Sequence, residues 1–283
     1  MNLRLYAGSD RIYSIAPISL IVLALLVARP ASGGEQAERA TASAANAPVV
    51  LYNGALGTTP DKQRFQYQAI NGANPFVPAA ATQVYANGAT TLDTTPQKND
   101  LAGYAATTPD VPVLDRSLGY SVDFAVQIQQ EDHAGSDKNG DNIDDRAGFS
   151  MIVLSSDKKG VELGFWKDEI WIQNDGTAEP PGGTLFTHGE GATFDTTTEL
   201  ISYTLSIKGD SYSLSSGGAA ILSGSVRDYT AWEAPPQAPA NPYRTPNMIV
   251  PSDDSTSASA KIRLTYIGVT IAKRAVYLPL LQR

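Results

Sequence analysis

From Tyr120 to Gln130 the chain runs with a period of two. Tyr120, Val122, Phe124, Val126 and Ile128 fall on one side, and Ser121, Asp123, Gln127 and Gln129 on the other. That spacing makes a strand with one face in a core and one face wet, and no helix could gather these apolar side chains on one stripe. Such a strand cannot bury its apolar face alone and needs a second layer to close the core. Phe149 to Leu154 is apolar at nearly every residue, as a strand covered on both faces would be.

The segment Val161–Asn174 specifies its own register. With Lys167-Asp168 as a two-residue turn, Trp166 faces Glu169, Gly164 faces Trp171 and Glu162 faces Gln173. Val161, Leu163, Phe165, Ile170 and Ile172 then share the opposite face, and a slip by one residue would scramble that separation. Lys-Asp is not a favoured pair for a tight hairpin turn, whereas Gly164 opposite Trp171 leaves room for a flat ring to lie down.

Further strands are expected at Val49–Gly54, Leu200–Ile207, Ser211–Ser215, Ala219–Val226 and Lys261–Ile271. Ser215-Ser216-Gly217-Gly218 reads as a turn between two of them. In the last strand the apolar positions change from even (Ile262, Leu264, Tyr266) to odd (Ile267, Val269, Ile271), which a β-bulge near Tyr266 would produce. Between residues 53 and 118, short apolar pieces alternate with Gly, Asn, Pro and Thr clusters and no helical spacing occurs. Glu233 to Ala260 carries six prolines and is expected as an extended surface loop or lid. The fold class is therefore all-β, an antiparallel β-sandwich or barrel.

The strand at Tyr120 leads into the most chemically loaded stretch, Asp137-Lys138-Asn139-Gly140-Asp141-Asn142-Ile143-Asp144-Asp145. Oxygen-bearing side chains occupy loop positions 1, 3, 5 and 9 (Asp137, Asn139, Asp141, Asp145), and Ile143 at position 7 would offer its backbone carbonyl. Hard cations take six to eight oxygens, so Ca²⁺ is the cofactor this spacing suits. Six acids lie between residues 131 and 145, opposed there by Lys138 alone, and their repulsion favours a bound cation. The loop departs from the helix-flanked calcium pattern. Asn142 stands where Gly is usual, Gly148 replaces the bidentate Glu, and the flanks are strands. The missing carboxylate would come from Asp144, Asp132 or elsewhere; the alternative is a solvated acidic hairpin loop.

The expected wet face of the Val161–Asn174 hairpin carries Trp166 and Trp171 beside Glu162, Glu169 and Gln173. Aromatic faces with flanking hydrogen-bonding groups are what a sugar needs, so these five residues are the candidate ligand site for a polysaccharide or cell-surface glycan. The same tryptophans could instead lie beneath the proline-rich segment.

Four segments together resemble the choice-of-anchor Y domain of secreted bacterial proteins: Leu51–Thr58, Asp137–Ser150, Gly160–Trp166 and Asp253–Ala260. The resemblance spans about residues 49–272. It implies a concanavalin-A-like jelly roll, related to lectin and glucanase sandwiches, carried by proteins with varied C-terminal surface anchors. It brings no catalytic residues with it.

Residues 1–33 read as a signal peptide. Arg4 and Arg11 precede the apolar run Ile15–Ala28, and Ala31-Ser32-Gly33 supplies small residues for cleavage. That run is short for a bilayer span, so no membrane span is expected in the mature protein. Residues 34–48 read as a disordered leader, 49–272 as the sandwich domain and 273–283 as a C-terminal tail without a sortase motif. Removing residues 1–33 takes away three Arg and one Asp, which changes the net charge from −8 to −10. An acidic chain of this kind is not built for nucleic acid or anionic membranes. There is no cysteine, and His133 and His188 are the sole histidines, so neither disulfides nor a usual zinc site is available.

Three functions fit these residues: a secreted, calcium-stabilised surface or adhesion module, a glycan-binding module, and a glycoside hydrolase. Retaining hydrolysis needs two carboxyls about 5–5.5 Å apart. Glu162 and Glu169 share a face of the hairpin, but roughly 13 Å of strand separates their positions. No enzyme is expected.

Overall fold

The computed structural model describes residues 47–234 and 241–272. The expected signal peptide and the tail 273–283 lie outside the described residues, as does the leader apart from Ala47 and Pro48. Fifteen strands follow one another, with short 3₁₀ turns and no α-helix among the described residues.

One sheet has eight strands. Its main path runs β13 (Ala219–Ser225), β12 (Ser211–Ser216), β11 (Ile201–Lys208), β6 (Tyr120–Asp132), β15 (Ser259–Ile271), β4 (Ala89–Asp93) and β3 (Thr82–Ala86), and β1 (Val49–Asn53) also pairs with β15. The other has seven: β10 (His188–Thr193), β9 (Glu169–Gln173), β8 (Gly160–Phe165), β7 (Ser150–Leu154), β14 (Met248–Asp253), β5 (Asp100–Ala105) and β2 (Gln66–Asn71). All pairings are antiparallel, and the main core lies between the sheets. Phe124 and Tyr203 from the first meet Phe165 from the second at ring separations of 6.0 and 5.6 Å. This is an antiparallel β-sandwich.

The alternation along β6 is realised. Tyr120, Val122, Phe124, Val126 and Ile128 are all buried in the core between the sheets. The shift expected in β15 is a bulge between Leu264 and Tyr266, where the register against β6 slips by one residue. Gly217 and Gly218 turn the chain between β12 and β13 at φ of 56° and 81°, a conformation that glycine adopts without steric cost.

The proline-rich segment departs from expectation, because β14 forms inside it. It is buried along its whole length and pairs with β7 from Met248↔Leu154 to Ser252↔Ser150. Pro251 argues against a central strand, since it has no N–H to give to a ladder. The sheet accommodates it on one side. Toward β5, backbone bonds join Ile249 to Ala106, and pairing resumes at Ser252↔Gly103; the ladder is interrupted between them, where Pro251 sits.

The seven-stranded sheet carries a second apolar layer on its outer face. Ile152 and Leu154 of β7 and Met248 and Val250 of β14 pack there against Leu185, Phe186, Tyr229 and Tyr243. This is why β7 is apolar at every position but its first, since Met151 and Val153 face the main core while Ile152 and Leu154 face this layer.

Candidate functional site

The acidic loop joins β6 of one sheet to β7 of the other, so it is a crossover between sheets and not a hairpin. Its first half is held by its own side chains. Asp137 accepts from the amides of Gly140 (2.7 Å) and Asn142 (3.0 Å), Asn139 from Asp141 (3.0 Å), and Asp141 from Ile143 (2.8 Å). The Ile143 amide and the Asn139 side chain hold the Asp141 carboxyl below the usual range. Gly140 and Asn142 take positive φ (80° and 70°), and Asn tolerates that conformation better than most residues. Asp144 accepts from the amides of Ser136 and Asp137 (2.6 and 2.9 Å), and Asp132 pairs with Lys98 (3.1 Å).

Asp145 behaves differently. It is fully buried, one oxygen accepts from the Lys138 amide (2.7 Å), and the other accepts from the His188 amide at the start of β10 (2.9 Å). It ties the loop to the sheet edge. Among the described residues no three His, Cys, Asp or Glu side chains converge on a point that could hold a metal ion. The donor chemistry still suits a hard cation, because a carboxylate oxygen that accepts one N–H has a further lone pair. The side chains are simply not drawn together.

The five residues expected on a wet face take the expected register. Gly164 pairs with Trp171, and Leu163 and Phe165 pair with Ile172 and Ile170. The face itself is not wet. Trp166 is 7 % exposed and Trp171 0 %, and Glu162 and Gln173 are fully buried. His133 stacks on Trp166 at 4.0 Å, His188 stacks on Trp171 at 4.4 Å, and the two indoles lie 5.3 Å apart. The crossover loop closes the cover. Its backbone carbonyls at Arg146 and Asp145 accept from Trp166 Nε1 and from the Gln173 side chain, each at 3.0 Å. The exposed stacking platform expected from Trp166 and Trp171 is thereby corrected, because both rings are structural. Glu169 stays partly exposed at the edge, 3.3 Å from His188 Nε2.

Glu162 instead belongs to a buried cluster that sequence spacing could not reveal. Tyr243 donates its hydroxyl to Glu162 and also lies 3.3 Å from Asp254, while Arg146 reaches Asp254 at 3.0 Å and Glu162 at 3.6 Å. Burial, reinforced by the Asp254 charge, pushes Glu162 up to about 8. Burial works against the charge of Arg146, but the Asp254 and Glu162 carboxyls outweigh it and hold the guanidinium above its ordinary value. Residues 92 positions apart meet here, and a chain read in order gives no sign of it.

Beside this cluster a groove of about 420 Å³ opens over the outer face of β2, β5 and β14. Its floor includes Gln68, Leu101 and Ser252, and Arg146, Tyr243 and Trp232 stand along one wall. Trp232 is half-buried, and its ring is braced edge-on by Tyr243 (5.5 Å) and Phe186 (6.3 Å). Neither Trp232 nor Ser252 stood out in the sequence. Trp232 lies in a stretch with no strand period, and Ser252 was hidden in the proline-rich segment.

No family model matches the chain, and no curated protein matches it. Solved structures similar to it include a carbohydrate esterase from the Shiga toxin-encoding bacteriophage phi24B. That match has 11 % identity and a TM-score of 0.45, and covers 80 % of this chain and 99 % of the other. The exoplasmic/lumenal domain of VIP36 in its Ca²⁺/Man-bound form is similar at 9 % identity and a TM-score of 0.45, over 81 % of this chain and 90 % of that one. A sialidase matches at 10 % identity and a TM-score of 0.46, over 80 % of this chain and 18 % of its own length. At this distance no ligand or activity carries over to the present chain.

Proposed function

We propose that the chain is a secreted, calcium-stabilised and non-catalytic β-sandwich module of a cell surface, of the choice-of-anchor kind, that binds glycan. The observation that carries this reading is the position of the crossover loop. One stretch holds Asp137, Asn139, Asp141 and Ile143 at its exposed end, and Asp145 and the backbone of Arg146 over the buried tryptophans at the other. An ion that orders the first part stiffens the cover of the sheet in the second. Non-catalytic is the better reading because Glu162, which the sequence offers as a candidate acid, lies fully buried with Tyr243 bonded to it.

The test is thermal unfolding in about 1 mM calcium and in chelator. Extracellular modules bind calcium at about 10⁻⁴–10⁻³ M, so linkage contributes about 0.4–1.4 kcal/mol. For a domain of this size that corresponds to roughly 1–6 °C in Tm. Asp137→Ala or Asp141→Ala should abolish the difference, and Asp110→Ala, outside the loop, should keep it. Identical curves in calcium and chelator for the unmodified chain would refute the calcium reading.

A further inference from the structure

Among the described residues, the groove over β2, β5 and β14 contains two polar atoms without a hydrogen-bond partner. Ser252 is 6 % exposed and its Oγ makes no hydrogen bond; Asp254 Oδ1 is likewise buried and unbonded. Both residues line the groove. Ser252 stands where it does because Gly103 lies opposite: a Cβ on Gly103 would come within 2.3 Å of the Ser252 Cβ. Buried polar groups are nearly always bonded, so two such atoms on residues that line one groove call for a partner from outside.

The partner's chemistry follows from the walls. A hydroxyl group can donate to the Asp254 carboxyl oxygen and accept from Ser252, and a molecule rich in hydroxyls can do both at once. The braced ring of Trp232 offers the apolar face that the C–H side of a sugar ring packs against. Charge argues against an acidic ligand. The Arg146 guanidinium is already taken up by Asp254 at 3.0 Å and sits 5.2 Å over the Phe186 ring, and Lys138, which also lines the groove, feels the opposing charge of Glu179 in the same lining. The volume lies within the range of small-ligand sites, about 300–1,000 Å³.

We propose that this groove holds a short stretch of an uncharged saccharide, one ring laid on Trp232 and its hydroxyls shared between Ser252 Oγ and Asp254 Oδ1. The inference rests on the glycan-binding reading and adds its location and its charge class.

Isothermal titration calorimetry of the full exported chain in calcium tests it, with cellohexaose, xylohexaose and mannohexaose as neutral probes and hexagalacturonate as the acidic one. At least one neutral probe should bind, Trp232→Ala should weaken it tenfold or more, and Ser252→Val should weaken it several-fold. Trp232→Phe, which keeps a ring, should retain part of the affinity, and Gln129→Ala on the other sheet should change nothing. An unaltered melting curve for Ser252→Val keeps its result separate from misfolding. Neutral binding that survives both Trp232→Ala and Ser252→Val would overturn the groove while leaving the glycan reading standing. Binding of hexagalacturonate alone would overturn the charge argument, and no binding of any probe would overturn both readings.

Discussion

Gly164→Ala adds a single methyl group where Trp171 lies flat, and the structure fixes how badly it fits. The new Cβ would stand 2.6 Å from Cε2, 2.8 Å from Cζ2 and 3.0 Å from Nε1 of the indole. The ring has nowhere to retreat, because His188 stacks on it at 4.4 Å and Trp166 lies 5.3 Å away. Overpacking of this kind costs about 1–3 kcal/mol, and the rigid surroundings put this site in the upper half of that range. Alanine also restricts the unfolded chain, which returns about 0.4–1 kcal/mol. The net loss should be about 1–2.6 kcal/mol, or roughly 2–10 °C in Tm. Urea unfolding followed by tryptophan fluorescence measures it. The decisive comparison is a cycle with Trp171→Leu: if the indole is the obstacle, Gly164→Ala should cost nothing in that background, or even stabilise. An equal loss in both backgrounds would refute the argument, as would no loss at all in the parent chain.

Asp145→Ala should cost about 1–3 kcal/mol, since it removes the fully buried side chain that accepts from the part-buried Lys138 and His188 amides; a loss below 1 kcal/mol in urea unfolding would contradict the role given to Asp145. The pH profile of Tm in chelator should peak between about pH 4 and pH 5. Glu162, Asp253 and Glu131 are raised by burial, and His133 is raised on balance by Glu131 although burial opposes it. Their stabilisation is present below their unfolded values and is lost as pH climbs through the folded ones, up to about 8 for Glu162. Asp93 and Asp228 are lowered, so theirs is present above 3.8 and lost on acidification. Glu162→Gln should flatten the fall between pH 4.5 and 8, and an unchanged slope would refute the assignment. N-terminal sequencing of exported protein should begin near Gly34, and recovery of a Met1-containing chain outside the cell would refute the cleavage site.

The sandwich was legible wherever one residue pattern answered to one physical demand. Period two in β6, the doubly apolar β7, the hairpin register at Gly164↔Trp171 and the bulge before Tyr266 each follow from which side chains must be dry. What misled was the assumption that polar residues on an outer face mean water. Glu162 and Gln173 are polar and wholly buried, because the crossover loop and the layer around Phe186 and Tyr243 cover them. Covering depends on contacts such as Arg146 with Asp254, 108 residues apart, which no local window contains. β14 was missed for a different reason. Pro251 is a sound argument against a strand unless the neighbouring ladder has a gap, and a gap is visible only once β5 is in place.

The crossover loop and the groove are covalently one piece, and this makes the two proposals interdependent. Arg146 follows Asp145 directly, is 5 % exposed, and forms part of the groove wall next to Asp254. Lys138, within the acidic run, also lines the groove. Ordering the loop by a cation therefore fixes two wall residues before a saccharide arrives and removes part of the entropy cost of holding them. Coupling between two sites is reciprocal, so a saccharide that requires the ordered wall must raise calcium affinity by the same factor that calcium raises its own. A loop that acted on stability alone would show no such exchange. Calcium titrations with and without a bound oligosaccharide would thus separate an ion that merely braces the sandwich from one that also shapes the site.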